Sequence, residues 1–266
     1  MKKMISLVLS LVILMTAGMA LAQDAVQAIL DKKTLILGLD DSFPPMGFRD
    51  ENNEIVGFDI DVAKEVASRL GVELVLQPID WAAKELELAA GKIDCIWNGM
   101  SITPEREESM SMTFSYLNNQ MVFYAMADSG IKAVEDLEGK KIAVQGGSYA
   151  EDLLNSEDYK AIREGAAEIV AFDEYLTALM DLEQGGVDAV LIDKVVAEYR
   201  IAGMGAENVV PTVELEDDNY GIGFRKEDGA LRDKVQELLI EMKKDGALGK
   251  IAEVWFGSDI TSVPAE

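Results

Sequence analysis

The sequence has no histidine and only one cysteine, Cys95, among its 266 residues. Histidine is the side chain that most often serves as a general base and as a transition-metal ligand, so its absence lowers the expectation of an enzyme or a metalloprotein. A single cysteine cannot form an internal disulfide, and its position in an apolar stretch predicts a buried, unreactive thiol. We therefore expect no cofactor and no metal.

Basic residues are scarce, with 24 Lys and Arg against 49 Asp and Glu. The acidic excess is spread along the chain and is not gathered into a tail. Such a surface repels nucleic acid and anionic lipid. We expect no nucleic-acid partner and interpret the acidity as a contribution to solubility.

Long apolar runs are missing except at the start of the chain. Two lysines precede the apolar residues 5–17, and Ala20-Leu21-Ala22 has the small-x-small pattern of a cleavage site. This layout predicts a secretory signal peptide over residues 1–22. The alternative is an uncleaved anchor, but the run is shorter than the roughly 20 residues that span a bilayer. No cysteine follows it, so we expect a periplasmic protein without a lipid anchor.

The rest of the chain alternates between strand and helix patterns, which favours an α/β fold with largely parallel sheets. The first half contains apolar runs such as TLILGL (34–39) and KIDCIWN (92–98), separated by amphipathic helical stretches such as residues 60–71. The same order of patterns recurs in the second half. The mature chain of about 240 residues is long enough for two lobes.

An internal similarity supports two lobes of similar build. Residues 74–97 and 168–191 share the order strand, acidic residue, aromatic residue, helix, glycine and a strand opening with Ile-Asp or Val-Asp. Two extended segments, 119–128 and 217–228, predict paired crossovers between the lobes. We therefore predict lobe one over residues 23–124 and 221–266, and lobe two over residues 125–220. A ligand would lie between them.

The stretch GMSITPER (99–106) places an arginine at the start of a predicted helix. Thr103 is a good N-cap and Pro104 a good first helical residue. A cation is disfavoured there by the helix dipole unless it shares an anion with the free backbone N–H groups. Arg106 is thus a candidate to bind a carboxylate in a two-point contact. The alternative is a surface arginine paired with Glu105, Glu107 or Glu108.

Two segments of the predicted lobe two could contribute further contacts to the same ligand. Gly146 and Gly147 allow a tight turn and a close backbone approach to a ligand, and Ser148 can cap the next helix. Asp193 closes a strand and could meet a ligand ammonium, or it could simply cap the helix that follows.

Aromatic residues in lobe one predict the walls of an apolar part of the site. Phe43 follows the first strand, near Asp40, and Trp81 follows the second. Together with Arg106 and Asp193 they suit a zwitterion, because the arginine meets a carboxylate and the aspartate meets an ammonium. An α-amino acid has this pattern of charges.

The chain resembles the extracellular solute-binding proteins of ABC importers, in the polar amino-acid family. The resemblance covers essentially the whole mature chain, and its motifs occur in order: Asp40 to Pro45, Gly57-Phe58-Asp59-Ile60-Asp61-Val62, Ser101-Ile102-Thr103-Pro104-Glu105-Arg106, Gly146-Gly147-Ser148 and Asp193. It implies a two-lobed periplasmic-binding-protein fold, each lobe a mostly parallel sheet flanked by helices, joined by two crossover strands.

The resemblance also implies roles for single residues. Arg106 would bind the α-carboxylate and Asp193 the α-ammonium. Gly99, Ser101, Gly147 and Ser148 would complete the main-chain contacts, and Phe43 and Trp81 would contact the side chain. Hinge closure over the ligand and delivery to a membrane permease would follow, with the protein acting as a monomer and not as an enzyme.

The identity of the ligand stays open at this point. Asp40 could receive a cationic side chain, whereas the Trp97-Asn98-Gly99 run favours a polar uncharged amino acid of the glutamine or cystine type. Two other functions use the same fold. A cyclohexadienyl- or prephenate-type dehydratase would use Glu85 or Asp40 as an acid, and a free-standing sensory protein would pass its closed state to a receptor.

Overall fold

The computed structural model describes residues 25–265, so the predicted signal peptide (1–22) lies outside the described residues. The strands are, in chain order, β1 Thr34–Leu39, β2 Ser42–Phe43, β3 Gly47–Arg49, β4 Ile55–Val56, β5 Glu73–Pro78, β6 Cys95–Ser101, β7 Ser111–Met112, β8 Leu117–Met126, β9 Lys141–Gln145, β10 Glu168–Phe172, β11 Ala189–Asp193 and β12 Val209–Phe224.

Ten helices occur in the described part of the chain. They are α1 over residues 25–32, α2 Phe58–Leu70, α3 Lys84–Ala89, α4 Pro104–Ser109, α5 Tyr149–Asn155, α6 Lys160–Gly165, α7 Tyr175–Glu183, α8 Lys194–Met204, α9 Gly229–Asp245 and α10 Ala247–Phe256. Short 3₁₀ helices cover Trp81–Ala83, Val134–Leu137 and Lys226–Asp228. Within residues 25–265 no helix is both long and apolar enough to cross a membrane.

The main sheet runs through both lobes in the order β10-β9-β11-β8-β12-β6-β1-β5, with β7 paired to β12. Lobe one is built on the parallel strands β5, β1 and β6, and lobe two on the parallel strands β10, β9 and β11. The two crossover strands, β8 and β12, pair antiparallel with each other between the lobes. The predicted fold class is confirmed: an α/β protein with two lobes, each on a mostly parallel sheet, joined by two crossover strands.

The crossover strands differ from the predicted segments: β8 begins two residues earlier with the same length, and β12 is longer. β12 begins at Val209, eight residues before the predicted segment, and its pairing with β8 runs from Val209↔Met126 to Tyr220↔Leu117. The predicted lobe boundaries, 124/125 and 220/221, therefore fall inside these two strands. The division into residue ranges remains a prediction.

Alternate residues of β1 show how the sheet is covered on both faces. Leu35, Leu37 and Leu39 are fully buried in one apolar layer, and Ile36 packs in a second layer on the other face. Parallel strands covered by helices on both faces have this continuous apolar character. Cys95 is buried within β6, as the sequence predicts.

Helix α2 begins at Phe58, two residues before the predicted helical stretch, and ends at Gly71 as the sequence predicts. Asp59 and Asp61 lie in its first turn and Arg69 in its last, which complements the helix dipole. Gly71 ends the helix in the left-handed conformation with φ of 72°. The C-terminal helices α9 and α10 pack against α2, and Trp255 Nε1 donates to Asp61 Oδ2 at 3.0 Å. The chain thus returns to lobe one at its C-terminal end.

The internal similarity found in the sequence has a structural counterpart. Asp94 accepts a hydrogen bond from the backbone N–H of Ile36 at 2.7 Å, and Asp188 accepts one from the N–H of Lys141 at 2.8 Å. In each lobe, the aspartate just before one strand binds the backbone of a neighbouring strand. The Ile-Asp and Val-Asp pairs therefore perform the same structural task in the two lobes.

Candidate functional site

A cavity lies between the two lobes, at the carboxyl ends of their parallel strands. The space free of protein atoms there is about 290 Å³, part of which is open to solvent. It is lined by Asp40, Phe43, Trp81, Asn98, Gly99, Ser101, Arg106, Gln145, Ser148, Tyr149, Tyr175 and Asp193. Of the nine residues that the sequence predicts for the site, all except Gly147 line this cavity.

Arg106 is buried and is not the surface arginine of the alternative interpretation. Thr103 Oγ1 accepts from the Arg106 N–H at 3.2 Å, so the predicted N-cap is present. The guanidinium donates through Nη1 to the Ser101 carbonyl at 2.9 Å and through Nη2 to Asp152 Oδ2 at 3.2 Å. Its ion-pair partner is thus a half-exposed acid of α5 across the cleft, and not one of the neighbouring glutamates.

Asp193 is buried at the end of β11 and makes no capping hydrogen bond to α8. Instead, its Oδ1 accepts from Asn119 Nδ2 at 2.7 Å and from the Tyr220 hydroxyl at 2.6 Å. Burial raises the pKa of this carboxyl, and the nearby charge of Asp218 raises it further. The capping interpretation is therefore wrong, and the side chain faces the cavity.

Asp40 lies at the end of β1, on the lobe-one side of the cavity. Its Oδ1 accepts from the N–H and the hydroxyl of Ser42, both at 2.8 Å, and its Oδ2 accepts from Gln145 Nε2 of lobe two at 2.6 Å. Burial raises its pKa despite these donors. Phe43 stands nearby, with its ring centre 6.1 Å from that of Tyr175.

Gly99 and Ser101 lie within β6, which continues three residues beyond the predicted strand end. Gly99 has φ of 58°, and its N–H donates to Asp59 Oδ2 at 2.8 Å. A Cβ at this position would stand 2.8 Å from Phe43 Cε1, so the wall needs glycine here. Burial raises the pKa of Asp59 to about 7.

Trp81 begins a short 3₁₀ helix that Asp80 caps through the N–H of Ala82 at 2.9 Å. Its ring is 8% exposed, and Lys84 Nζ lies 5.0 Å from the ring centre. The same ammonium donates to the Gly147 carbonyl of lobe two at 2.7 Å. The tryptophan is therefore both a cavity wall and part of the contact between the lobes.

The structure places Gly147 outside the cavity lining, which differs from the sequence prediction. Its N–H donates to Glu151 Oε2 at 2.7 Å, and its carbonyl accepts from Lys84, so both backbone groups are already bonded. A Cβ there would lie 2.7 Å from Ala82 Cα. Gly147 permits the lobes to approach each other. Ser148 does line the cavity and caps α5, accepting from the Glu151 N–H at 3.3 Å.

Three lining residues were missed by the sequence reasoning: Gln145, Tyr149 and Tyr175. Asn98, a fourth, was named only within the Trp97-Asn98-Gly99 run and not as a site residue. Gln145 ends β9 just as Asp193 ends β11, so its position at a strand end was a usable signal. Tyr175 follows β10 where Trp81 follows β5, which the internal similarity already indicated. Tyr149, in the first turn of a short helix, carried no comparable signal.

Direct contacts hold the two lobes against each other. Besides the Asp40–Gln145, Lys84–Gly147 and Arg106–Asp152 contacts, Arg200 Nη2 donates to the Ser42 carbonyl at 2.6 Å. The charged lining residues Asp40, Arg106 and Asp193 are all buried. Their charges therefore act in a medium of lower dielectric constant than water.

The sequence profile described as bacterial extracellular solute-binding proteins, family 3, matches residues 35–258. The chain belongs to this family. It is 28% identical to the L-cystine-binding protein TcyJ of Escherichia coli K12 over 253 residues, 93% of each chain.

Two solved structures of similar proteins share the fold of this family 3 protein. One is an ABC uptake transporter substrate-binding protein from Streptococcus pneumoniae with bound histidine (TM-score 0.83, 35% identity, covering 89% of this chain and 97% of the other). The other is the ancestral amino acid-binding protein AncCDT-1, a precursor of cyclohexadienyl dehydratase (TM-score 0.79, 33% identity, 87% and 99%).

Proposed function

We propose that this protein binds a free L-amino acid in the interlobe cavity and presents it, with the lobes closed, to the permease of an ABC importer. The observation that carries the proposal is the placing of two opposite charges, Arg106 and Asp193, in one buried cavity. Buried charges are stable only when paired and hydrogen-bonded, and a zwitterion supplies a partner for each.

The contacts to the ligand follow from the positions of the charged groups. Arg106 binds the α-carboxylate, with Ser148 as a hydroxyl donor beside it. Ser101 donates its hydroxyl proton to Asp218, and its carbonyl accepts from Arg106, so it supports the contact through the arginine. Asp193 binds the α-ammonium, and the wall at Gly99 allows the ligand backbone a close approach. Gly147 contributes by letting the lobes close. Both its backbone groups are already bonded and it lies outside the cavity lining, so it is not assigned a contact with the ligand.

The ligand side chain extends toward Asp40, between Phe43 and Trp81. Gln145 and Asn98 add amide groups at this end of the cavity. A buried carboxylate next to amides favours a side chain that donates hydrogen bonds. We infer a polar side chain of this kind, which includes the glutamine and cystine types. Among the similar proteins, one is named for cystine and one is solved with histidine, which have polar side chains, and others are named for or solved with arginine, whose side chain is cationic.

We further propose that the protein acts in the periplasm after cleavage of residues 1–22, without a lipid anchor, as a monomer and without catalysis. The rival dehydratase needs an acid in the cavity. Glu85 lies outside the cavity lining, pairs with Lys84 at 3.1 Å and has a side chain that is 45% exposed. Glu85 is therefore outside the site. Asp40, the other candidate acid, lines the cavity, and burial raises its pKa, so turnover of prephenate must be tested directly.

A thermal-shift experiment tests the proposal. The mature chain is freed of carried-over ligand by unfolding and refolding, and is then heated with the common amino acids, cystine, ornithine and prephenate in turn. A ligand well above its Kd raises the Tm because it binds only the folded state. A shift with one or a few L-amino acids is expected. Turnover of prephenate without any amino-acid shift would support the dehydratase instead.

A further inference from the structure

Asn119 and Asp218 lie side by side on the two crossover strands. They are register partners in the β8–β12 ladder, and both are buried. A carboxylate and an amide buried between two lobes cost free energy unless their hydrogen bonds are satisfied. Neither residue lines the ligand cavity, so direct contact with a ligand does not explain them.

The hydrogen bonds of this pair connect residues of both lobes. Asp218 Oδ2 accepts from the Ser101 hydroxyl at 3.0 Å and from Asn119 Nδ2 at 2.9 Å. The same Asn119 nitrogen donates to Asp193 Oδ1 at 2.7 Å. A continuous path of hydrogen bonds therefore runs from Ser101 in lobe one, through the crossover strands, to Asp193 in lobe two.

We propose that Asn119 and Asp218 are positioning residues. They hold Asp193 and also Ser101, whose carbonyl accepts from Arg106, so that Arg106 and Asp193 receive the two charged ends of the ligand. The inference rests on the proposed function, since it assumes that Arg106 and Asp193 bind an amino acid. The crossover strands are then more than a flexible connection. They carry the hydrogen-bonded pair Asn119 and Asp218, called here the polar bridge, which positions the ligand-binding residues of both lobes.

The polar bridge also places a second carboxylate, that of Asp218, close to Asp193. Burial raises the pKa of Asp218, and the charge of Asp218 contributes to the raised pKa of Asp193. The ionisable groups that face the two carboxyls from neighbouring elements are Arg106, Tyr116, Tyr149, Tyr175 and Tyr220. Among these only Arg106 carries a charge at neutral pH, and it attracts Asp218.

The test uses Asp218→Asn, with Asp217→Asn as the matched control. Both substitutions remove one negative charge from β12, but Asp217 is exposed on the strand whereas Asp218 is buried. Affinity is measured by calorimetry with the L-amino acid that gives the largest thermal shift for the unsubstituted protein. At alkaline pH, where Asp193 is ionised, Asp218→Asn is expected to weaken binding roughly tenfold, because buried hydrogen-bonding groups lose their partner. Asp217→Asn should bind as the unsubstituted protein does.

The pH profile separates positioning from a merely structural role. The ligand ammonium needs ionised Asp193, so affinity falls as the pH drops below the raised pKa of that carboxyl in the unliganded protein. Asp218→Asn removes the neighbouring charge and lowers this pKa. The fall in affinity should therefore move to lower pH in Asp218→Asn and stay in place in Asp217→Asn.

Each result either supports or overturns the positioning role of Asn119 and Asp218. Weaker ligand binding by Asp218→Asn, together with a shift of its pH profile to lower pH, supports that role. Unchanged affinity in Asp218→Asn, equal losses in both variants, or a loss without a shift of the profile would overturn it. If Asp218→Asn does not fold, Asn119→Ser breaks the same bridge and must weaken binding. If the unsubstituted protein binds no amino acid at all, the proposed function itself has failed.

Discussion

Arg106 shows how much a single side chain depends on contacts that are distant in the sequence. The local pattern Thr103-Pro104 identifies a helix start, and that part of the prediction is confirmed. The ion-pair partner of the guanidinium is Asp152, 46 residues further along the chain and in the other lobe. No local pattern identifies that partner, so the sequence left a surface ion pair open as an alternative.

We predict that Arg106→Ala nearly abolishes ligand binding and leaves the fold intact. Removing one partner of a buried charge pair costs about 3–5 kcal/mol, because the other charge is left unpaired. Here the unpaired group is the carboxylate of the ligand in the closed cleft. Calorimetric titration measures the loss in affinity, and circular dichroism checks the fold.

The matched control for Arg106→Ala is Arg49→Ala. Arg49 also pairs with an acid, Asp41, but its side chain is 39% exposed, and such surface pairs contribute about 0–1 kcal/mol. Binding in this variant should equal that of the unsubstituted protein. Near-normal affinity in Arg106→Ala would contradict the site assignment.

At the scale of the elements, the order of the main strands and helices could be predicted from the sequence because their apolar patterns are local, and some end at a glycine, as α2 does at Gly71. The end of β6 could not be predicted from the local sequence. The apolar run suggests an end at Asn98, yet the strand continues to Ser101 because Tyr220 of β12 pairs with Ser101. That pairing joins residues more than one hundred positions apart, so Gly99 and Ser101 were expected in a loop and are found in a strand.

The difference between local sequence patterns and distant contacts also explains which site residues were predicted. Residues at strand ends and helix starts, such as Asp40, Ser148 and Asp193, carry a local signal of a site. Tyr149 and Asn98 reach the cavity only because the two lobes meet there. Contacts that form between lobes depend on the crossover geometry, which no short stretch of sequence specifies.

We predict that Asp94→Ala destabilises the protein more than Asp188→Ala, although the two residues perform the same task in their lobes. Asp94 is 5% exposed and also binds Lys32, at 2.6 Å, whereas the Asp188 side chain is 43% exposed. Water can replace the acceptor at Lys141 but not at Ile36. The loss in Asp94→Ala should be about 1–3 kcal/mol, the cost of an unsatisfied buried donor.

Urea unfolding measures this difference. Circular dichroism follows both lobes, and tryptophan fluorescence follows lobe one, where Trp81 and Trp97 lie. Equal midpoints for the two variants would show that the burial of Asp94 adds nothing to the role that the two residues share.

At the scale of the whole molecule, the tight contact between the lobes is possible because Gly147 has no side chain. Its carbonyl accepts from Lys84, and its Cα faces the backbone of Ala82. We predict that Gly147→Ala hinders closure, because the added Cβ would lie 2.7 Å from Ala82 Cα. An overpacked contact costs about 1–3 kcal/mol, and this cost falls on the closed form alone. Affinity should therefore decrease for every ligand by the same factor.

Gly139→Ala is the matched control because it separates closure from backbone strain. Gly139 has φ of 71° and Gly147 has φ of 69°, but a Cβ at Gly139 meets nothing within 4 Å. An alanine in this left-handed region costs about 1–2 kcal/mol at either position, so both variants should lose similar stability without ligand. Only Gly147→Ala should lose affinity and fail to become more compact in X-ray scattering when ligand is added. If both variants bind equally well, the lobes do not need the small residue at position 147 in order to close.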